Sequence, residues 1–183
     1  MSPGQGIYAS SSRAVDRFGR LDALVSNAGV ATVAPLADGS LADWDRMIDV
    51  NLRAVMHGIA AALPVFTVAG FWALRHHHLH RGHKIGLRTR GVRRPVKRAY
   101  AASKAGVRAL CEVLHQETGP EIRATMVCPE ATATEFVSDP QSREQIAAIA
   151  MAPDAVAEAI AYALEQPKSV NVGEIVVRSA AQP

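Results

Sequence analysis

At 183 residues, with 49% hydrophobic and 20% charged residues, the chain has the size and composition of one globular domain rather than a disordered protein. No apolar run is long and uninterrupted enough to span a bilayer, and no secretory signal is visible in the sequence. Cys111 and Cys128 make neither a disulfide framework nor a zinc pattern, so we expect a cytoplasmic protein.

The net charge of +3 is unevenly distributed along the chain. Between Arg75 and Arg98 the sequence has nine Lys or Arg, five His and no Asp or Glu. The rest of the chain has 11 basic and 17 acidic residues, a formal charge of −6. Such a basic block is either a solvated surface or a site for nucleic acids or other anions. Because aromatic residues are not interleaved with the block beyond Trp72, we do not expect nucleic acid to be a partner.

The first predicted elements are a strand and a long amphipathic helix. Residues 21–25 form a short apolar run that ends at Asn27-Ala28-Gly29, which is typical of a buried strand leading into a loop. We expect the helix to begin near Ser40, a favourable N-cap, and to end or kink at Pro64. Its apolar residues recur at steps of three and four, at Leu41, Trp44, Ile48, Leu52, Val55, Ile59 and Leu63.

Strand and helix patterns alternate through the rest of the chain as well. Residues 100–117 predict a second helix, and residues 124–128 predict a buried strand closed by Pro129. A third helix is predicted to begin at Pro153, and residues 174–178 predict a last strand. The apolar face of the second helix comprises Val107, Leu110, Cys111 and Leu114. This alternation predicts a single α/β domain with a parallel sheet and helices on both faces.

The segment Tyr100-Ala101-Ala102-Ser103-Lys104 carries candidate chemistry. Positions four apart share one face of a helix, so we expect the Tyr100 phenol and the Lys104 ammonium to lie together. A tyrosine ordinarily titrates at about pH 10, and a neighbouring lysine favours the phenolate. Tyr100 is therefore a candidate general acid/base for an alcohol/carbonyl pair. An exposed helical pair without function is the alternative for these two residues taken alone.

Four motifs, in order along the chain, resemble the short-chain dehydrogenase/reductase family. Asn27-Ala28-Gly29 is similar to the motif after the family's fourth strand, and Asn51 stands in a helix like that of the family's catalytic asparagine. Tyr100 and Lys104 match the family's Tyr-x-x-x-Lys, and residues 125–134 resemble the strand and loop that meet the nicotinamide. The likeness covers most of residues 16–65 and 99–182.

The resemblance implies an NAD- or NADP-dependent oxidoreductase that transfers hydride between its cofactor and a small-molecule alcohol/carbonyl substrate. It implies Tyr100, Lys104 and Asn51 as catalytic residues. In the family the lysine also holds the nicotinamide ribose, and the asparagine supports a water chain to that lysine. The residues implied to contact the cofactor are Asn27, Ala28, Gly29, Tyr100, Lys104, Pro129 and Thr134. Neither the substrate nor the choice between NAD and NADP follows from the resemblance.

The first departure from the family concerns the front of the fold. Family members open with a strand and a glycine-rich turn that holds the pyrophosphate, whereas only 26 residues precede Asn27 here. We therefore expect residues 1–183 to form a partial Rossmann-like doubly wound parallel sheet that lacks the first three strands of the family fold. Gly4-Gln5-Gly6 resembles this glycine-rich turn only superficially. The strand at residues 21–25 should then be an open apolar edge, a pairing site for other chains or a second copy.

The second departure is an anomalous basic, His-rich segment at residues 67–98. It contains no serine, although the family places a carbonyl-polarising serine shortly before the tyrosine, and Leu79 stands at that position. His76 and His80 are four apart, as zinc ligands on a helix can be, but nothing completes a site, so we expect no metal. We interpret the segment as translated partly out of frame, with a genuine insertion as the alternative.

The third departure is Glu130, which stands where the family has a glycine after the proline. A carboxylate at this position is expected to crowd or repel the cofactor. The sequence thus has the acid/base pair of the family but not its phosphate-binding turn or its serine. Three functions stay open on the sequence alone: an active dehydrogenase, a catalytically inactive remnant or interaction protein, and a polyanion-binding protein that uses the basic block.

Overall fold

The computed structural model of the chain describes residues 3–32, 36–75, 98–134, 144 and 146–181. The helices are α1 (Pro3–Phe18), α2 (Leu41–Ile48), α3 (Ala54–Ala62), α4 (Arg98–Thr118) and α5 (Pro153–Glu165). The strands are β1 (Leu21–Ser26), β2 (Phe66–Arg75), β3 (Ile122–Pro129) and β4 (Glu174–Val177). A π-helical turn, Asp49–Arg53, joins α2 to α3, so the helix predicted between Ser40 and Pro64 is continuous.

Local sequence explains where these helices begin and end. The Ser40 hydroxyl accepts a hydrogen bond from the Asp43 amide at 3.1 Å, which satisfies one of the free N–H groups at the start of α2. Gly19 and Gly119 follow α1 and α4 directly, with φ of 72° and 56°. Side chains disfavour this left-handed conformation, so glycine is suited to the residue that ends a helix. The predicted N-cap at Ser40 is confirmed.

The four described strands form one parallel sheet in the order β1-β2-β3-β4. β2 lies between β1 and β3, with Ala23 paired to Phe71 and Trp72 paired to Ala124. β3 is buried along its whole length, whereas β1 is only half-buried because it lies at an edge. The interpretation of residues 21–25 as a buried strand was therefore too strong, and the expectation that they form an edge is confirmed.

Helices cover both faces of this sheet. On one face, α3 and α4 pack against β3 through a core that includes Val55, Val107 and Met126. On the other face, α5 packs against β2 and β3, where Ala163 contacts Phe71 and Val156 contacts Val127. Alternate residues of β3 thus face opposite helical layers, as the two-residue period of a strand requires. The predicted partial Rossmann-like, doubly wound α/β fold is confirmed.

The buried guanidinium of Arg123 ties β3 to the end of α5. It donates hydrogen bonds of 3.1 Å to the carbonyl oxygens of Ala163, Leu164 and Gln166. The last carbonyls of a helix lack helical partners and carry partial negative charge, so a cation placed there satisfies them. Arg123 also lies 5.2 Å from the centroid of the Phe71 ring. This residue therefore has a structural role at the opposite end of β3 from Pro129.

Two elements were not predicted, and one expectation was wrong in detail. α1 contains Gly4, Gly6 and three consecutive serines, which are weak helix formers, so its sequence does not reveal it. β2 begins just before the anomalous segment, so residues 67–75 of that segment belong to the sheet, while residues 76–97 lie outside the described residues. Leu41, expected on the buried stripe, is 73% exposed because it opens α2. No described helix is long and apolar enough to cross a membrane.

Candidate active site

Asn51 is the buried centre of the candidate site. Its side-chain oxygen accepts a hydrogen bond from the Val30 amide at 2.8 Å, and its side-chain nitrogen donates to the Val30 carbonyl at 2.9 Å. The same nitrogen donates to the Ser103 hydroxyl at 3.1 Å. Asn51 is completely inaccessible to solvent, so these bonds are made without competition from water. One amide group thereby links the loop after β1 to helix α4.

The π-helical turn around Asn51 distinguishes this helix from an ordinary one. Asp49–Arg53 has the wider π-helical bonding pattern between two regular α-helical stretches. Such single π turns occur often at functional sites because they change the direction of one side chain within a helix. Gly106 of α4 lies against this turn, where an added Cβ would come within 3.1 Å of the Leu52 side chain. A small residue in α4 therefore permits the close packing that brings Asn51 to Ser103.

Tyr100 and Lys104 lie together near the start of α4. Both are buried, with 2% and 4% exposure, and the Lys104 Nζ lies 5.8 Å from the centroid of the Tyr100 ring. The Ser103 hydroxyl donates a hydrogen bond of 2.8 Å to the Tyr100 carbonyl oxygen, which joins this turn of α4 to the Asn51 network. The structure therefore brings the Tyr100 ring and the Lys104 ammonium together, as their spacing in the sequence predicts.

The remaining predicted residues lie at the carboxyl ends of the parallel strands. Asn27 and Ala28 follow β1 and are exposed, and Gly29 is half-buried. Pro129 ends β3 and is fully buried, and Thr134 is half-buried in the loop beyond it. Ligands of open α/β sheets bind outside this edge, where the strand-to-helix loops meet. The α4 turn and the loop after β1 are joined by Asn51, whereas Pro129 and Thr134 belong to a separate loop.

The sequence singled out Glu130 but not its ion pair with Arg178. The carboxylate is 7% exposed, and its Oε1 lies 2.9 Å from Nε of Arg178, just beyond β4. The Glu130 amide donates to the Val177 carbonyl at 3.0 Å. Both contacts turn Glu130 towards β4. A carboxylate after one strand and an arginine after the next are the only signal that the sequence offers for such a pair, and many such combinations occur in any chain.

Ser103 was also missed as a functional residue. It stands between Tyr100 and Lys104 in the motif, and its complete burial with two hydrogen bonds makes it the link between Asn51 and α4. Its distance of 52 residues from Asn51 leaves no local pattern to reveal the contact. Three residues considered earlier lie outside the described residues. They are Leu79, which stands at the position of the family's serine, and His76 and His80, which were considered as metal ligands.

The two cysteines lie in the core and not at the site. Burial raises the pKa of the Cys111 thiol to about 11. The pKa of Cys128 is raised further, first by burial and then by its contact with Glu174, whose Oε1 lies 3.1 Å from the sulfur. Thiols in this state are protonated at neutral pH and are weak nucleophiles. In the described parts of the chain, His, Cys, Asp and Glu form no cluster of three that could hold a metal ion.

The chain is a parallel α/β protein with a Tyr–Lys pair and a buried asparagine near the carboxyl ends of its strands, and comparison with known proteins identifies its family. The family model described as "short chain dehydrogenase" matches residues 2–145. An uncharacterized oxidoreductase of Listeria monocytogenes is 34% identical over 181 residues, which cover 93% of this chain and 69% of the relative. One of Staphylococcus saprophyticus is 34% identical over 180 residues, with 92% and 69% covered.

Solved structures agree with this assignment. The alcohol dehydrogenase of Thermococcus sibiricus, complexed with 5-hydroxy-NADP, matches with a TM-score of 0.79 and 26% identity, covering 98% of this chain and 72% of that one. A short chain dehydrogenase of Burkholderia cenocepacia, in complex with NADP, matches with a TM-score of 0.78 and 26% identity, covering 97% and 72%. The chain belongs to the short-chain dehydrogenase/reductase family.

Proposed function

We propose that this chain binds NAD or NADP and takes part in hydride transfer between that cofactor and an alcohol/carbonyl substrate. The observation that carries the proposal is the buried network in which Asn51 joins Val30 to Ser103, beside the Tyr100–Lys104 pair. Family membership supports the class of reaction. The NADP-type cofactors named for the Thermococcus sibiricus and Burkholderia cenocepacia structures support the class of cofactor.

The residues present fit the nicotinamide-ribose end of such a cofactor. A phenol and an ammonium on one helix face offer hydrogen-bond donors for ribose hydroxyls. Gly4 and Gly6 lie inside α1, so they do not form the family's pyrophosphate-binding turn. We assign cofactor contact to Tyr100, Lys104, Asn27, Ala28, Gly29, Pro129 and Thr134, and we assign the pyrophosphate to no described residue.

Each side chain has a defined task in this proposal. The bound cofactor supplies or accepts the hydride. The Tyr100 hydroxyl donates a proton to the substrate oxygen during reduction, and the Tyr100 phenolate accepts one from the substrate alcohol during oxidation. Lys104 stabilises the phenolate between these events. Asn51 keeps the loop after β1 at a fixed distance from α4, so the proton-transferring pair and the cofactor-facing loop stay in register.

A fluorescence titration of the chain with NADH and NADPH tests the proposal. We expect saturable binding of one or both, weakened about tenfold or more by Lys104→Met because the ribose loses a charged donor. Tyr100→Phe should retain binding and lower turnover by roughly 10²–10⁴. Lys168→Met, at an exposed lysine after α5, is the matched control and should bind like the wild type. Absence of binding at millimolar concentrations of both cofactors would contradict the proposal.

An inactive family member that acts through protein contacts is the second candidate. The observation that favours it is the edge position of β1, where Val25 is 41% exposed. Exposed strand edges pair readily with other strands, and a charged side chain on the edge prevents this. Concentration-dependent association that is lost in Val25→Lys, together with no cofactor binding, would establish this candidate over the enzyme.

A further inference from the structure

Glu130 places a carboxylate, paired with Arg178, directly after the last residue of β3. Glu130 follows Pro129 at the carboxyl end of β3, the edge at which the proposed function puts the nicotinamide. Its side chain is 7% exposed, whereas that of Arg178 is 48% exposed. A carboxylate buried to this degree is costly unless a cation compensates it. Arg178 supplies that compensation from the end of the neighbouring strand.

Hydrogen bonds of the backbone hold the loop that continues from β3. The Glu130 amide bonds the Val177 carbonyl, and the Thr132 hydroxyl donates to the Glu130 carbonyl at 3.1 Å. Beyond Glu130, the Ala133 amide donates to the Met151 carbonyl and the Met151 amide donates to the Ala131 carbonyl, both at 2.9 Å. These bonds hold residues 130–133 against Val177 and Met151. The backbone that carries the Glu130 carboxylate is therefore bonded to both neighbouring segments.

A fixed charge at this edge discriminates between the two redox forms of the cofactor. The oxidised nicotinamide ring carries a positive charge and the reduced ring carries none. A bare carboxylate nearby attracts the oxidised ring and leaves the reduced ring almost unaffected, and this effect is large where water is excluded. A carboxylate that is neutralised by a guanidinium has little preference for either redox form of the cofactor. The pairing state of Glu130 therefore has a direct consequence for cofactor binding.

We propose that Arg178 is a positioning residue that neutralises Glu130 at the nicotinamide end of the site, so that the pair sets the relative affinity for oxidised and reduced cofactor. This inference rests on the proposed function. It assigns a use to the residue that departs from the family's glycine, and it replaces the expectation that Glu130 simply repels the cofactor. Arg178 acts through Glu130 and needs no contact with the cofactor.

Dissociation constants for NAD⁺, NADH, NADP⁺ and NADPH test the inference. In Arg178→Met the affinity for the oxidised form should rise relative to the reduced form by about tenfold, because the carboxylate loses its counter-charge. In the double variant Glu130→Gln/Arg178→Met the ratio should return to within about twofold of the wild type. A purely structural role would change both affinities by the same factor and leave the ratio unmoved.

The controls separate this inference from the proposed function. Arg20→Met breaks the exposed Arg20–Asp22 pair at the opposite end of the sheet and should leave the ratio unchanged. Hydrogen exchange at the Ala133 and Met151 amides, measured without cofactor, reports whether the loop stays in place in each variant. If the wild type binds no cofactor, the proposed function fails and this inference with it. If it binds and the ratio is the same in Arg178→Met, only this inference is overturned.

Discussion

At the scale of single residues, Asn51 is fully buried, and both the oxygen and the nitrogen of its side chain are hydrogen-bonded. Its amide makes three hydrogen bonds, two to the backbone of Val30 and one to Ser103. No smaller or apolar side chain reproduces this pattern, because both a donor and an acceptor are required in one plane. The role of Asn51 in holding the loop after β1 is therefore separable from any role in catalysis.

Replacing Asn51 by alanine should destabilise the protein even if no substrate is ever bound. The partly buried amide and carbonyl of Val30 would lose their side-chain partner, and we expect a loss of about 3 kcal/mol in the free energy of unfolding. Denaturant unfolding followed by circular dichroism measures this. Ser103→Ala removes only one partner of Asn51 and should cost about 1 kcal/mol. Equal losses in both variants would contradict the assigned order of importance.

At the scale of elements, the contacts between helix ends and strands determine how the layers meet. Arg123 satisfies three carbonyl groups at the end of α5, while Gly106 allows α4 to approach the π-helical turn. These two contacts lie on opposite faces of the sheet. Arg123 fixes the end of α5 relative to β3, and Gly106 fixes α4 relative to the helix that contains Asn51.

Arg123→Met should loosen the end of α5. The variant keeps the side-chain bulk against Phe71 but leaves the carbonyls of Ala163, Leu164 and Gln166 without this donor. We expect a loss of about 2 kcal/mol and faster amide exchange in the last turn of α5. Arg20→Met, which breaks an exposed ion pair, should cost much less. A loss as small as that of Arg20→Met would show that the helix end is satisfied by solvent.

Sequence patterns predicted those elements whose signals are local. Ser40 caps its helix as its hydroxyl suggested, and Pro153 opens α5 as a proline at a first helical position does. α1 was not predicted, because Gly4 and Gly6 lower its helix propensity. Its stability comes from packing on α3 instead. β2 was not predicted, because it ends where the basic block begins and the composition of that block hid the strand pattern.

The sequence predicted which residues carry the chemistry of the site, but not which contacts join them to the rest of the protein. The spacing of Tyr100 and Lys104 brings them together on any helix, so their proximity follows from the period alone. The contacts of Asn51 with Val30 and of Glu130 with Arg178 depend on which loops meet at the sheet edge. Residues 76–97, where the family's serine is expected, lie outside the described residues, so the interpretation of that segment stays a prediction.

At the scale of the whole molecule, the buried thiols make stability depend on pH in the alkaline range. Burial raises the pKa of Cys111 to about 11 in the folded protein, from a value of 9.0 in the absence of structure. The unfolded chain therefore loses this proton first as the pH rises. Stability from Cys111 is fully present below about pH 9 and declines between about pH 9 and pH 11. Cys128, whose pKa is raised in the same direction, adds to the decline.

We expect the free energy of unfolding to fall by roughly 2–3 kcal/mol between pH 9 and pH 11 on account of Cys111 alone. Urea unfolding at a series of pH values measures the slope. In Cys111→Ala the slope should be shallower, whatever the stability of that variant at neutral pH. An identical slope in wild type and variant would show that other groups cause the alkaline loss.

The bonds of Asn51 also impose an order of events during synthesis. Val30 precedes Asn51 by 21 residues and has left the ribosome when Asn51 emerges, whereas Ser103 follows 52 residues later. The link between Asn51 and the loop after β1 can therefore form while α4 is still untranslated. The link to α4 must wait for β2, α4 and the chain between them. A nascent chain arrested before residue 103 thus carries half of the network, and the site comes into existence only when the second half of the sheet is delivered.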